Sequence, residues 1–397
     1  MGCGASKKVD AKTAAVLSPL DDKLAAVLAA EHMKLLSAAW LAATDLERLP
    51  CRQDLEAREA NGERPFLSAK AAVAALRRKR REMAALSYGW GSSGEPDPSG
   101  EYLVAVRAFL RGREGRHVVG LFWDFGSLFQ NQPPRFVRSE PQGAAFKAAL
   151  AVMGDAYASV LGVTVIRHSR IPARPAAMDG KVVVFDAPEA ADEAAVAAAL
   201  GEFGGLEGCE RVQPGQWRAR FDSHAATEAA AAGAWEGLGG AAVVPAYNAR
   251  PYGDRGWTQF EAAVATEGLA RALYFPRLKA QLAALPPKLF EIGDGAPRVV
   301  KVEAEAGGAG PRIERVLEGL RTAAFTGKGD REVVAGLYRR YITTIGNAMA
   351  STGEGAAGEY EGERNAAGER EGRGTFRYAN GNVYEGEYRA DKRDVGC

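Results

Sequence analysis

Ala84-Ala85-Leu86-Ser87-Tyr88-Gly89-Trp90 is the stretch from which the fold is read. It has the apolar density of a short strand buried on both faces. A Gly/Ser/Pro-rich loop follows from Gly91 to Gly100. Downstream the pattern alternates. Glu101 to Arg111 reads as a helix, His117 to Phe125 as a second buried strand, Gln142 to Ala158 as a helix and Gly162 to Ile166 as a third strand. Strands separated by helices predict a parallel sheet covered on both faces, with ligands outside the carboxyl ends of its strands. Those ends carry Ser87-Tyr88-Gly89-Trp90, Asp124-Phe125-Gly126-Ser127 and Arg167-His168-Ser169-Arg170.

A Pro- and Ala-rich boundary at 171–180 introduces a second pattern. Lys181 to Phe185 reads as a strand, Asp192 to Phe203 as a helix, and Glu207 to Val212 and Gln216 to Phe221 as strands around the Pro214-Gly215 turn. Ala225 to Ala234 is a helix and Ala241 to Val244 a last strand. The order βαββαβ is ferredoxin-like. From Tyr252 the first pattern resumes, with helices at Thr258 to Leu273, Pro311 to Arg321 and Asp330 to Met349, and a strand at Val299 to Val302. Thr326-Gly327-Lys328-Gly329-Asp330 lacks the first Gly and the closing Ser/Thr of a phosphate loop, so Asp330 reads as a helix N-cap.

Working back from Ala84, Ser68 is placed to cap a helix running to about Met83 and ending in the basic run Arg77-Arg78-Lys79-Arg80-Arg81. Such a run suits contact with anionic lipid, or simply a solvated helix face. Residues 51–66 read as loop. Residues 9–48 are Ala- and Leu-rich at helical spacing, and predict one or two amphipathic helices. The chain opens Met1-Gly2-Cys3-Gly4-Ala5-Ser6-Lys7-Lys8, the pattern for N-myristoylation of Gly2. Cys3 offers a site for palmitate. Two such signals are what stable anchoring needs, so the expected location is the cytoplasmic face of a membrane, peripheral and lipid-anchored.

Composition narrows the classes. The 397 residues are 47% hydrophobic and 25% charged, with net charge +1; a bulk nucleic-acid binder is usually more basic. No apolar run is long enough for a transmembrane helix. The four cysteines (Cys3, Cys51, Cys209, Cys397) form no CxxC pair and the four histidines are scattered, so no metal site is expected. At the other end, residues 351–358 form a Ser/Gly/Ala linker. Tyr360-Glu361-Gly362-Glu363 then recurs as Tyr384-Glu385-Gly386-Glu387, with Gly372, Gly374, Phe376, Tyr378 and Gly381 between them.

The tail resembles MORN repeats, whose pattern runs YxG, GxG, an aromatic, Gly and the next YxG. Tyr360, Gly362, Gly372, Gly374, Tyr378, Gly381, Tyr384 and Gly386 fill it. About one and a half units are present, Arg364 stands where an aromatic is usual, and the spacing is one residue long. Repeat units normally need neighbours to bury their aromatic faces. The resemblance implies a short β-hairpin tail associated with membranes and scaffolding.

The α/β part, 84–172 plus 252–349, resembles a TIR-like domain. Leu86-Ser87-Tyr88 matches the opening strand, Trp123-Asp124-Phe125 the Asp after the second, and Arg255-Gly256-Trp257-Thr258-Gln259-Phe260-Glu261 the W-C-x-x-E segment. Thr258 replaces the usual Cys, and the βαββαβ unit interrupts the domain just before the motif. Some TIR domains cleave NAD with the Glu of that motif. The resemblance then implies Glu261 as the catalytic carboxylate, with Tyr88, Trp257 and Asp124 around the substrate and no cofactor other than NAD as substrate. The alternative is that Glu261 is a first-turn helix carboxylate and Trp257 a core residue. The inserted unit resembles an RNA-recognition fold in outline, but Arg218 stands where a base-stacking aromatic is expected.

The expected organisation is therefore a lipidation segment at 1–10, a helical region at 11–83, a flavodoxin- or TIR-like α/β domain at 84–172 and 252–349, a ferredoxin-like insertion at 180–246, and a repeat tail at 359–397. The favoured function is signalling or scaffolding at a membrane, through protein partners or self-assembly. An NAD hydrolase is the competing class, RNA binding a weaker third.

Overall fold

The computed structural model describes residues 9–11, 14, 17–133, 135–233, 235, 238–273, 276–303, 310–325, 329–350, 358–378 and 383–394. In chain order the strands are β1 (Leu36–Ser37), β2 (Met83–Tyr88), β3 (Gly120–Phe122), β4 (Val163–His168), β5 (Lys181–Phe185), β6 (Leu206–Gln213), β7 (Gln216–Phe221), β8 (Ala242–Pro245), β9 (Leu289–Glu291), β10 (Arg298–Val299), β11 (Gly358–Arg364), β12 (Arg370–Tyr378), β13 (Val383–Arg389) and β14 (Lys392–Asp394). They form three sheets, and the protein is mixed α/β.

The central sheet has the order β1-β3-β2-β4-β9-β10. Its four inner strands are parallel, and β1 and β10 pair antiparallel at the edges. Every residue of β2 is buried, as a parallel strand covered on both faces requires. Alternation along it sends Met83 and Ala85 into one core, with Phe122, Tyr157, Phe260 and Val264. Ala84, Leu86 and Tyr88 enter the other, with Tyr102, Val106, Phe109 and Trp123. The helix Glu140–Ala158 starts where Ser139 and Gln142 form a reciprocal capping box. Its carboxyl end is tied to the sheet by Lys288, whose Nζ donates to the carbonyls of Tyr157, Ser159 and Val163 at 2.7–2.8 Å. Burial holds that amine well below its ordinary pKa, yet three acceptors match the three protons of the ammonium form.

The N-terminal region differs from the helical reading. The helix Pro19–Ala29 ends in a turn where Glu31 takes φ 55°, and the chain then becomes β1, which hydrogen-bonds to β3. Leu35 and Leu36 are fully buried; the sheet edge overrides the helical propensity of the Ala-rich sequence. Residues 52–60 form a helix rather than a loop. Ser68 does cap a helix, accepting from Ala71 N, but that helix stops at Arg77. The basic run beyond it is no single solvated face. Arg77 pairs with Asp22 and Arg78 with Glu82, and Arg81 is buried and donates to Val160 O and Pro286 O.

Elsewhere, the second strand is shorter than its apolar run, because the chain turns into a short helical segment at Asp124–Ser127. The strand expected at 299–302 is the edge pair Arg298–Val299. The inner strand beside β4 is β9, from a segment that carried no strand signal.

Residues 181–245 fold as βαββαβ, with sheet order β6-β7-β5-β8 and antiparallel pairing throughout. The unit has its own core of Val182, Val184, Val196, Leu200, Trp217 and Phe221. Along β7, Trp217, Ala219 and Phe221 are buried while Arg218 and Arg220 are exposed on the other face.

The tail is a four-stranded antiparallel meander, larger than the expected hairpin. Gly362, Gly374 and Gly386 lie opposite one another across three strands, beside the row Tyr360, Phe376, Tyr384. The Tyr360 ring occupies the space that a side chain on Gly374 would fill, and Tyr384 lies likewise over Gly386. Each tyrosine thus needs its glycine. Gly381 and the 351–357 linker lie outside the described residues. Among the described residues, no helix is long and apolar enough to cross a membrane.

Candidate functional site at the carboxyl edge of the parallel sheet

In the central sheet, β2 is the first inner strand, with β3 on one side and β4 on the other. The strand order therefore reverses between β2 and β4, and a doubly wound sheet opens its ligand crevice at such a point. The residues singled out from the sequence do converge here, but in two separate groups.

The first group is Ser87 and Glu261. Ser87, at the end of β2, donates to Glu261 Oε2 at 2.5 Å. Glu261 stands in the second turn of the helix Gly256–Ala272, which packs its Phe260 and Val264 under the sheet. Tyr252 OH lies 2.6 Å from Ser87 Oγ, and Tyr157 OH, donating to Leu86 O, completes the shell. Glu261 is only 7% exposed. Burial pushes its carboxyl well above the ordinary range, outweighing the hydrogen bond from Ser87 that lowers it.

The second group lies on the opposite face of β2, because Tyr88 alternates away from Ser87. Tyr88 OH donates to Asp124 Oδ1 at 2.9 Å, Trp90 Nε1 to Asp124 Oδ2 at 2.8 Å, and Phe125 N to Oδ1 at 2.7 Å. Burial raises the Asp124 carboxyl to about 6, against these three donors that lower it. Tyr88 packs edge-on against Tyr102 and Trp123. Trp257 sits in neither group. It is half-buried against Phe260 and donates Nε1 to Asp330 Oδ2 at 3.0 Å. Tyr88 and Trp257 therefore form no common wall, and Asp330 receives an indole rather than acting only as a helix start. Thr326 to Lys328 lie outside the described residues.

Sequence reasoning missed the group that closes the edge. Arg255, quoted only as the first residue of a motif, is 7% exposed. Its guanidinium donates to Trp90 O at 2.7 Å, Asn248 O at 2.8 Å and Arg250 O at 2.8 and 2.9 Å. A methyl on Gly89 would meet the Arg255 guanidinium at 2.8 Å and Ile171 at 2.6 Å. Arg255 and Ile171 thus cover Gly89, the residue after the end of β2. An Arg at position 255 followed by Gly256 and a helix carried no signal of this role.

Above Asp124 lies a cleft of about 1040 Å³. Its floor includes Cys51, Asp97, Trp123 and Phe125, and its roof is the open face of the βαββαβ sheet, with Lys181, Arg218 and Arg220. Glu261 does not line it. Cys51 donates to Asp54 Oδ2 at 3.4 Å, and burial raises its thiol to about 11, so while it stays buried little of it is the reactive thiolate. The wall charges are paired within their own sides: Arg48 with Glu95 and Arg135 with Asp54 below, Arg220 with Glu207 and Arg218 with Glu210 above.

In the tail, the Arg370 guanidinium lies 4.8 Å from the centre of the Phe376 ring and 5.3 Å from that of Tyr388. Its Nε is 2.9 Å from Asp391 Oδ1. The aromatic face is thus filled by the chain's own cation. Gly2 and Cys3 lie outside the described residues. No protein-family model, curated protein or solved structure matches this chain.

Proposed function

We propose that this is a membrane-anchored signalling or scaffolding protein, acting through protein contacts of a TIR-like α/β domain and a MORN tail. The observation that carries the reading is the contrast at the carboxyl edge. The one candidate catalytic carboxyl, Glu261, is buried beneath Ser87 and Tyr252, and burial pushes its pKa well above the ordinary carboxyl range. The open cleft lies on the other face of β2, and its walls carry charges of both signs, as the polar rim of a protein contact does. The TIR-like reading draws support from the inner parallel order β3-β2-β4-β9, and from the motif residues that meet at Ser87 and Glu261. The ferredoxin-like reading of the insertion rests on its order and pairing, and the MORN reading on the glycine and tyrosine rows. Membrane attachment rests on Gly2, Cys3 and the lysines after them.

The test is clustering of acylated full-length protein on liposomes, read by energy transfer between labelled copies. Clustering that is lost in Arg218→Glu with Arg220→Glu, with membrane binding kept, supports the reading. A protein that stays monomeric and releases nicotinamide from NAD overturns it.

That second outcome is the competing reading, a membrane-tethered NAD hydrolase, and it is favoured by one observation. Ser87 and Glu261 come from two of the three motifs of the TIR resemblance and touch. A carboxyl there can support an oxocarbenium-like state once ionised. Nicotinamide release abolished by Glu261→Gln is its signature. RNA binding loses ground, because Arg218 and Arg220 already pair with Glu210 and Glu207.

A further inference from the structure

We propose that Arg255 is a latch: it ties the βαββαβ unit down over the carboxyl edge of the parallel sheet, and its release lets the unit lift as a body and widen the cleft over Cys51, Trp123 and Phe125. The inference is independent of whether the protein is a scaffold or an enzyme.

Four observations lead to it. The unit leaves the sheet after β4 and returns just before the helix Gly256–Ala272, so both its linkers cross the point where the strand order reverses. Its core is separate from the two cores of the central sheet, as a part that moves as one piece requires. The ion pairs on the cleft walls each stay on one side, with about 1040 Å³ between them. The recorded ties gather instead on the linkers: Asn248 N donates to Gly91 O at 2.7 Å, Tyr247 OH to Pro172 O at 2.5 Å, and Arg255 binds the loop after β2 and the return linker together.

The chemistry of the tie suits a latch more than a rivet. A buried guanidinium is firmly held when a carboxylate shares its site, and less so when only carbonyl dipoles face it. The groups recorded around the Arg255 fork are three backbone carbonyls, with the Arg250 chain also nearby and the Tyr102 and Tyr247 hydroxyls packed close. The fork spans the loop after β2 and the return linker, which the Asn248 N–Gly91 O bond also joins. Opening it costs those bonds while leaving the core of each part intact. Gly89 then loses its cover, and the cleft under the unit widens.

The experiment is hydrogen exchange on the full chain. In Arg255→Met, the amides of residues 89–91 and 246–251 should exchange about tenfold faster, as loss of charge-assisted hydrogen bonds implies. The amides of β2, β4, β5 and β7 should be unchanged. Maleimide labelling of Cys51, in a protein whose other cysteines are serine, should quicken with them. Tyr247→Phe, which removes one linker bond outside the sheet, should act in the same direction to a smaller degree. Unchanged linker exchange in both variants overturns the proposal. So does equal acceleration through β2 and β5 in Tyr247→Phe, since the unit would then not move as a separate body.

Discussion

Ser87 and Glu261 stand 174 positions apart in the chain and 2.5 Å apart in the fold. The bond joins the central strand to the helix that runs beneath it, and it is made by a carboxyl whose pKa burial raises well above the ordinary range. Its energetics follow from that shift.

Because the folded carboxyl holds its proton more tightly than the unfolded one, whose pKa is near 4.5, folding takes up a proton. Stability from this group is complete below that value and is lost as pH rises toward the folded pKa. Asp124 and Asp21, both raised to about 6, act in the same sense. Glu261→Gln keeps an acceptor for Ser87 and removes the ionisation. Its melting temperature should exceed that of the native protein at pH 8 by roughly 2 °C or more, and the gap should shrink toward pH 5. Thermal scans across that range decide it; a gap that is constant with pH removes Glu261 from the account.

Lys288→Met should be costly. It leaves the carbonyls of Tyr157, Ser159 and Val163 buried and without their donor, at about 1–3 kcal/mol for each unsatisfied group. Urea unfolding should show a loss of at least about 3 kcal/mol. A loss below about 1 kcal/mol would mean that water replaces the amine.

Gly374→Ala should disorder the tail alone. The added methyl overlaps the Tyr360 ring, and overpacking of this kind costs about 1–3 kcal/mol, which a small sheet cannot absorb. Amide exchange in residues 358–394 should rise while β2 and β4 stay protected. A protected tail would show that the tyrosine row shifts to accept the methyl.

Gly2→Ala should move full-length protein from membranes to the soluble fraction, since it removes the acyl acceptor. Cys3→Ser should leave weak, reversible binding, as one chain gives only marginal attachment. Fractionation of both variants tests the anchor. Retention of Gly2→Ala on membranes would assign attachment to another part of the chain.

The sequence was most legible where one local pattern decided the outcome. The helix Glu101–Arg111 and the strands Lys181–Phe185 and Gln216–Phe221 lie at the bounds read from it. It was least legible where long-range pairing decided. β9 is three residues behind two prolines, and only its place beside β4 makes it a strand. Leu36–Ser37 is held extended by β3 against a helical background. At the site, the motifs grouped Glu261 with Tyr88, Trp257 and Asp124, and gave no sign that Ser87 is the residue Glu261 meets or that Tyr88 and Trp257 lie apart. That separation follows from the side-to-side alternation of β2 and the packing of one helix. Arg255 was invisible because its partners are backbone carbonyls, which leave no trace in residue identity.

Arg167 in β4 and Glu291 in β9 form a salt bridge across 124 positions of chain, nearly all of it taken up by the inserted unit and the helix after it. During synthesis at about 5–20 residues per second, roughly 6–25 s separate the emergence of these neighbours from the ribosome. The inserted unit, whose contacts are all nearby in sequence, is free to fold in that interval. The parent sheet must wait with β4 exposed along one side. Local and long-range order thus separate in time: the inserted unit can be complete while β4 still lacks its neighbour β9.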